Sequence, residues 1–341
     1  MAEARRHGGT EAGMDTGTKA ALREQLVDRR DRLRSAIDDL GEVEDLTRLL
    51  TDVDSALTRI DGGTYGRCEI CREDIEVDHL AANPLVRYCL CDLSPDQQRA
   101  LENDLGLAGR IQAALLPAQD LRAAGWEAHY RYRPAGAVSG DYCDLLVGGD
   151  DDEGLFFVVG DVSGKGIAAS LVMAHLNASF RSLIALGLPV RDLLDRTNRL
   201  LLESTIPSHY ATLVCGRARR TGEVEICNAG HLPAFVVRGG RVDRIESVGL
   251  PVGMFTGQSY EVKLLRLGED DMLFLCTDGL TEARDEEGDE YGVERVAALL
   301  GDYHVQCPRD LADVCLSDLD RFRSGSAPQD DVTVMVIRRR G

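Results

Sequence analysis

Gly160-Asp161-Val162-Ser163-Gly164-Lys165-Gly166 closes the apolar run 155–159 and leads into a helix-like stretch over 166–186. An acid in that position is held by rigid strand backbone yet faces the cleft where the strand ends. Gly164 and Gly166 let the backbone pass close by before the helix begins. Three other segments repeat the arrangement: Ser139-Gly140-Asp141-Tyr142-Cys143-Asp144, Thr277-Asp278-Gly279-Leu280 and Gln329-Asp330-Asp331-Val332-Thr333. Each alone reads as a turn or a solvated loop, because Asp-Gly is first of all a turn signal. Four of them, each beside an apolar strand, point instead to one shared carboxylate cluster. Hard carboxylate oxygens suit Mg2+ or Mn2+. Two such ions sharing a water lower its pKa and clamp the attacking and leaving oxygens of an in-line displacement.

Around these segments, β-like runs recur at 129–133, 155–159, 210–216, 223–227, 234–237, 260–265, 272–276 and 332–337. Helical stretches fall at 166–186, 190–203, 293–300 and 308–323. Strands and helices grouped in this way, with little strict βαβ alternation, predict antiparallel sheets flanked by helices, an α+β fold. On the helix that follows Asp161, Ala168, Leu171, Val172, His175, Leu176 and Phe180 mark the side expected to pack on the sheet.

Upstream, Ser94-Pro95-Asp96-Gln97 has the form of a capping box with Pro at the first helical position. The helix it opens carries Leu101, Leu105, Ala108, Ile111 and Leu115 on one predicted face and stops at Pro117. Further upstream, Leu22, Leu26, Leu33 and Ile37, then Leu46, Leu50, Val53, Leu57 and Ile60, recur every three, four or seven residues. They predict two helices paired as an antiparallel hairpin. Between hairpin and linker helix lie Cys68, Cys71, Cys89 and Cys91. Thiolates two residues apart, as in Cys68-Glu69-Ile70-Cys71, can grip one tetrahedral zinc ion. The second pair is spaced Cys-x-Cys, so Cys91 or Asp92 could complete the site; an empty, hydrogen-bonded remnant is the other reading.

The chain has 341 residues, 44% of them apolar, and a net charge of −19. Strong negative charge argues against nonspecific nucleic-acid or anionic-lipid binding. No run of 18 uncharged apolar residues predicts a membrane span, and the N-terminus has no secretory pattern, so a cytoplasmic location is expected. The other six of the 10 cysteines are scattered, several within apolar runs, as core thiols are.

The order of landmarks resembles a known family. Arg110-Ile-Gln-Ala-Ala-Leu-Leu-Pro117, Ser139-Gly-Asp-Tyr-Cys-Asp144, Val159-Gly-Asp-Val-Ser-Gly-Lys-Gly166, Asn228-Ala-Gly-His-Leu-Pro233, Gly249-Leu-Pro-Val-Gly253, Cys276-Thr-Asp-Gly-Leu-Thr-Glu282 and Gln329-Asp-Asp-Val-Thr-Val334 are similar to the motifs of SpoIIE/RsbU-type phosphatases. These form the bacterial branch of the type-2C, metal-dependent serine/threonine phosphatases. The resemblance implies an αββα sandwich over 118–341, with Asp141, Asp161, Asp278 and Asp330 as catalytic metal ligands for two Mn2+ or Mg2+ ions. It implies that Asp161 bridges both ions, helped by the Val162 carbonyl, with Asp144 and Asp331 as second choices. The histidine that eukaryotic relatives carry after the bridging aspartate is replaced here by Val162-Ser163, and His231 reads as a structural loop residue. The implied substrate is a phosphorylated regulatory protein, an anti-sigma-factor antagonist in a partner-switching pathway.

Residues 18–93, with the hairpin and Gly63-Thr-Tyr-Gly-Arg-Cys68, resemble the zinc-binding tail of DksA/TraR-type proteins. That leaves 1–17 as a disordered tail and 94–117 as a linker helix that could support a homodimer. The competing expectation is a zinc-module transcription regulator that uses the phosphatase domain only as a scaffold. No GxxxxGK[ST] loop supports a nucleotide-binding alternative.

Overall fold

The computed structural model describes residues 16–40, 44–69, 74–89, 95–148, 154–205, 209–325 and 328–340. Two compact units divide between Asn103 and Asp104.

In the first unit, α1 (Thr16–Leu40) and α2 (Glu44–Asp61) pack through the predicted positions: Leu22, Leu26, Leu33, Leu46, Val53, Leu57 and Ile60 are all buried. Ion pairs of Arg23 with Asp61 and of Arg34 with Asp54 show that the two helices run antiparallel. The short α3 (Val77–Ala82) follows, and Tyr65, Ile75 and Leu80 extend the same core. Cys68 and Cys89 are both buried in it. Cys89 is disulfide-bonded. Cys71, Cys91, Asp92, the Ser94 cap and residues 1–15 of the expected tail lie outside the described residues.

The division falls within α4 (Pro95–Leu115). Its inward face differs from the expected one. Ile111 is 58% exposed, whereas Gln112 is buried, so the helix is turned by about one residue. The cause is local. A Cβ at Gly109 would overlap the Ala137 carbonyl oxygen, and Gln112 faces the backbone of Ser139.

The second unit is built on strands too apolar to leave either face in water. β4 (Leu155–Val162) is buried at every position but Asp161, and a strand buried on both faces belongs between layers. It lies in a five-stranded antiparallel sheet ordered β3 (Tyr142–Val147), β4, β5 (Ala211–Ala218), β6 (Glu223–Ala229), β9 (Lys263–Arg266). The other sheet has six strands, ordered β1 (Asp120–Ala123), β2 (Trp126–Arg133), β11 (Val332–Arg339), β10 (Met272–Cys276), β7 (Ala234–Arg238), β8 (Arg241–Ile245), and is also antiparallel. Between the sheets lies a core of Trp126, Tyr130, Phe157, Val214, Leu275 and Met335. α5 (Gly166–Ile184) and α6 (Val190–Ser204) cover the outer face of the five-stranded sheet through Met173, Leu176, Phe180 and Leu194. α8 (Val293–Asp302) and α9 (Pro308–Phe322) cover the outer face of the six-stranded sheet through Leu300, Leu311 and Leu316. The order of layers is therefore helix, sheet, sheet, helix.

Three strands escaped the sequence pattern. β3 is the continuation of the Asp141 loop, and β1 and β8 are short and rich in charge. The run expected at 260–265 begins its pairing only at Lys263. On α5 the buried side is Ala169, Val172, Met173, Leu176 and Phe180, while Leu171 is 66% exposed. α5 is long and apolar enough to cross a membrane by length and composition, but half of it is buried in this domain. It reads as a core helix.

Candidate metal centre

The ends of four strands meet at one edge of the sandwich. β3 starts where its partner β4 ends, Tyr142 lying opposite Gly160, and β10 ends where β11 begins, Cys276 lying opposite Val334. This register brings Asp141 (before β3), Asp161 (in β4), Asp278 (the first residue of the short α7, Asp278–Thr281) and Asp330 (before β11) to the same end. Asp141 ties the two sheets together. Its Oδ2 accepts from the hydroxyls of Thr277 at 2.9 Å and Thr333 at 2.5 Å, and all three residues are buried.

Close backbone contact is required here. A Cβ at Gly140 would sit 3.2 Å from the Val162 carbonyl oxygen and 3.3 Å from Asp161 Oδ1. A Cβ at Gly279 would overlap the Asp331 carbonyl oxygen, so α7 and the 330–331 segment pack backbone to backbone.

The electrostatics are those of carboxylates crowded out of water. Burial raises the pKa of Asp161, and the charges of Asp278, Asp141, Asp330 and Asp331 raise it further. Burial likewise raises Asp141, with Asp331 and Asp278 adding to the effect and the two threonine hydroxyls opposing it. Asp278 is pushed up to about 6 by burial and then by Asp330 and Glu282, with Lys165 opposing. Such a cluster holds its charge only against cations. Lys165 Nζ is 2.8 Å from Asp330 Oδ2 and donates to the Gln329 carbonyl at 2.9 Å. A cavity of about 170 Å3 opens beside this pair, lined by Glu282, Arg284 and Arg323 as well. A larger cavity of about 430 Å3, between β1, β2 and the start of α9, touches none of the four aspartates.

The donor set of hard oxygens, mutually repelling and partly desolvated, fits divalent Mg2+ or Mn2+. Among the described residues, no three acid, histidine or cysteine side chains are already arranged as a cage. Asp330 is turned onto Lys165 and Asp141 onto the two threonines.

The two second-choice acids are occupied elsewhere. Asp144 is fully buried and forms a two-point ion pair with Arg181 of α5, Nε to Oδ2 at 2.8 Å and Nη2 to Oδ1 at 3.0 Å. Asp331 accepts from the Ala135 N–H at 2.7 Å and the Gly140 N–H at 2.9 Å, and so holds the loop before Asp141.

Both ring nitrogens of His231 are taken. Nε2 lies 3.1 Å from the Cys276 carbonyl, to which it must donate, so Nδ1 accepts from the Thr212 hydroxyl at 2.8 Å. Burial lowers its pKa to about 4, against the opposing carbonyl bond. A histidine whose folded pKa is depressed contributes stability that is present above its ordinary value and lost as pH falls toward the folded one. Urea unfolding in EDTA should therefore show a loss of about 2 kcal/mol between pH 7 and pH 4.5 from this group. The His231→Gln variant should lack that part of the slope; an unchanged slope would mean that His231 is not held neutral.

Sequence reasoning missed Thr277, Thr333, Ser139, Gln112 and the Lys165–Asp330 pair as parts of this site. Thr277 and Thr333 each lie within a quoted landmark, and a polar residue at the end of a strand that is otherwise buried was the available signal.

Comparison with known proteins gives a consistent picture. Residues 151–340 match the model of the family described as stage II sporulation protein E (SpoIIE). Protein IcfG of Synechocystis is 27% identical over 67% of this chain and 40% of its own length. The phosphoserine phosphatase RsbU of Bacillus subtilis is 25% identical over 71% of this chain and 72% of its own. Among solved structures, the RsbU and RsbW domains of a Mycobacterium tuberculosis protein superpose with a TM-score of 0.56 at 28% identity, over 66% of this chain and 62% of that one. The SiaA-PP2C domain of Pseudomonas aeruginosa, at 20% identity and a TM-score of 0.62, shares the fold over 71% of this chain and 98% of that one. The match thus spans well under half of IcfG and under two thirds of the mycobacterial chain.

Proposed function

Because the chain belongs to the SpoIIE family, we propose that it is a metal-dependent protein serine/threonine phosphatase that removes phosphate from a regulatory protein. The observation that carries this reading is the convergence of Asp141, Asp161, Asp278 and Asp330 at the joined ends of both sheets, with the charge crowding of their carboxyl groups. Two Mn2+ or Mg2+ ions would be held by these four side chains and the Val162 carbonyl. When bound, such ions supply an activated water and neutralise the phosphoryl oxygens. Thr277 and Thr333 hold Asp141 at one oxygen, Asp331 holds the loop before it, and Lys165 offers a cation at the rim beside Asp330. In this reading the four carboxylates serve as ligands, and a water rather than a side chain is the nucleophile at phosphorus.

The likeness to phosphoserine phosphatases named RsbU and RsbP supports a phosphoserine or phosphothreonine protein as substrate. An anti-sigma-factor antagonist is the specific substrate we put forward. Net charge of −19 speaks for a protein partner rather than nucleic acid. A cytoplasmic location is part of the proposal; Cys143, Cys215, Cys227, Cys276, Cys307 and Cys315 are free thiols. For residues 18–93 the reading is a DksA/TraR-like zinc module, with Zn2+ bound by the reduced form of the Cys68, Cys71, Cys89 and Cys91 cluster. A homodimer through the linker helix completes the proposal.

Hydrolysis of a phosphoserine peptide should depend on added Mn2+ and be abolished by EDTA. Atomic emission on the same protein, purified under reducing conditions, should find one zinc per chain. Absence of turnover with Mn2+ would favour the scaffold reading, and absence of zinc would reduce the N-terminal module to a hairpin with a disulfide.

A further inference from the structure

The loop from Arg133 to Asp141 carries a metal-binding carboxylate, yet most of it has no regular secondary structure to fix its height. Three contacts do so. Near its two ends, Asp331 accepts from the Ala135 and Gly140 N–H groups. In its middle, the Ala137 carbonyl lies against α4 so tightly that Gly109 has no room for a Cβ. The third contact is made by a side chain. Gln112 of α4 grips both backbone groups of Ser139, its Nε2 donating to the Ser139 carbonyl at 2.7 Å and its Oε1 accepting from the Ser139 N–H at 2.9 Å. Gln112 is 7% exposed and Ser139 is fully buried, so neither backbone group can turn to water instead. Ser139 then passes the constraint on, since its Oγ accepts from the Asp141 N–H at 3.1 Å.

We infer that Gln112 is a positioning residue for the metal centre: it sets Asp141 through Ser139, and the last turns of α4 therefore support that centre from outside it. The inference rests on Asp141 being a metal ligand, as in the reading above. A carboxamide is the only side-chain head at this length that both donates and accepts in one plane. A glutamate here would face the Ser139 carbonyl with a second oxygen, and an alanine would leave a buried donor and a buried acceptor unpaired. Supporting groups one step from a ligand commonly tune metal affinity by 10- to 100-fold, and Gln112 stands two steps away.

The test is Mn2+ binding to the full chain by isothermal titration calorimetry, beside the Mn2+ dependence of peptide hydrolysis and the unfolding temperature. Gln112→Ala, Gln112→Glu and the shape-conserving Gln112→Met should each raise the Mn2+ dissociation constant about 10-fold. Turnover at saturating Mn2+ should stay within a few-fold of the parent value. A cavity variant in the outer helix layer, Leu299→Ala, should lower the unfolding temperature and leave Mn2+ binding alone. If the Gln112 variants lose stability like Leu299→Ala but bind Mn2+ as the parent does, Gln112 is only a structural residue and the inference fails. A parent chain that binds no Mn2+ at all would instead overturn the metal-dependent reading, and this inference with it.

Discussion

Asp161→Asn should abolish measurable turnover and at the same time stabilise the protein in EDTA. The two effects have one cause. Asp161 sits where burial and four neighbouring carboxylates oppose its charge, an arrangement worth keeping only if cations are meant to bind there. Without them, an ionised Asp161 is a cost to the fold that grows as pH rises from the ordinary carboxylate range through its raised folded pKa, and that vanishes below both values. Removing the charge should raise the unfolding temperature by about 2–4 °C for each kcal/mol of relieved repulsion in a domain of this size. The gain should be larger at pH 8 than at pH 5. The loss of activity should reach about 1,000-fold or more, equivalent to about 4 kcal/mol of transition-state stabilisation. Calorimetric scans in EDTA at both pH values, with peptide hydrolysis in Mn2+, measure both halves. An active variant, or one destabilised in EDTA, would remove Asp161 from the centre of the site.

Arg181→Ala should be the most destabilising single change in the same neighbourhood. Its partner Asp144 lies within β3, and the Asp144 carboxylate has no exposure at all. Besides Arg181 it is met by the Leu145 N–H at 2.9 Å and the Asn177 amide at 3.4 Å. Breaking a buried ion pair costs ~3–5 kcal/mol, chiefly through the charge left behind. The Arg181 side chain is 42% exposed and can regain water, whereas Asp144 cannot. Arg181→Ala should therefore cost more than Asp144→Ala, toward ~4 kcal/mol against ~2–3 kcal/mol, by urea unfolding. Neither should alter Mn2+ affinity. The opposite order, or a shift in Mn2+ binding for Asp144→Ala alone, would mark Asp144 as a metal ligand.

Much of this was legible before any coordinates. That the four aspartates would converge could be read because each lies at the end of an apolar strand, and the strand ends of a sandwich gather at one edge. The helix boundaries of α5, α6, α8 and α9 follow from apolar spacing and lie within two residues of expectation. What stayed hidden was direction. The apolar spacing of α4 fits two faces one residue apart, and only Ala137 and Ser139 decide that Gln112 turns inward and Ile111 outward. The roles of Asp144 and Asp331 depend on partners 37 and 191 residues away, distances at which spacing carries no information. The pairing of Lys165 with Asp330 could not be foreseen because Lys165 follows a strand of one sheet while Asp330 precedes a strand of the other, and only the stacking of the two sheets joins them.

The division of the chain inside α4 bears on how such proteins are assembled from parts. A recombination junction at Pro117, where the helix ends in the sequence, would hand the incoming module the residue that grips Ser139 and leave the catalytic portion without it. A junction near Asp104 would carry Gly109 and Gln112 along with the strands they serve. A new module grafted upstream of this enzyme should leave Mn2+ binding intact where the graft keeps the last turns of a helix that, by sequence, looks like a spacer.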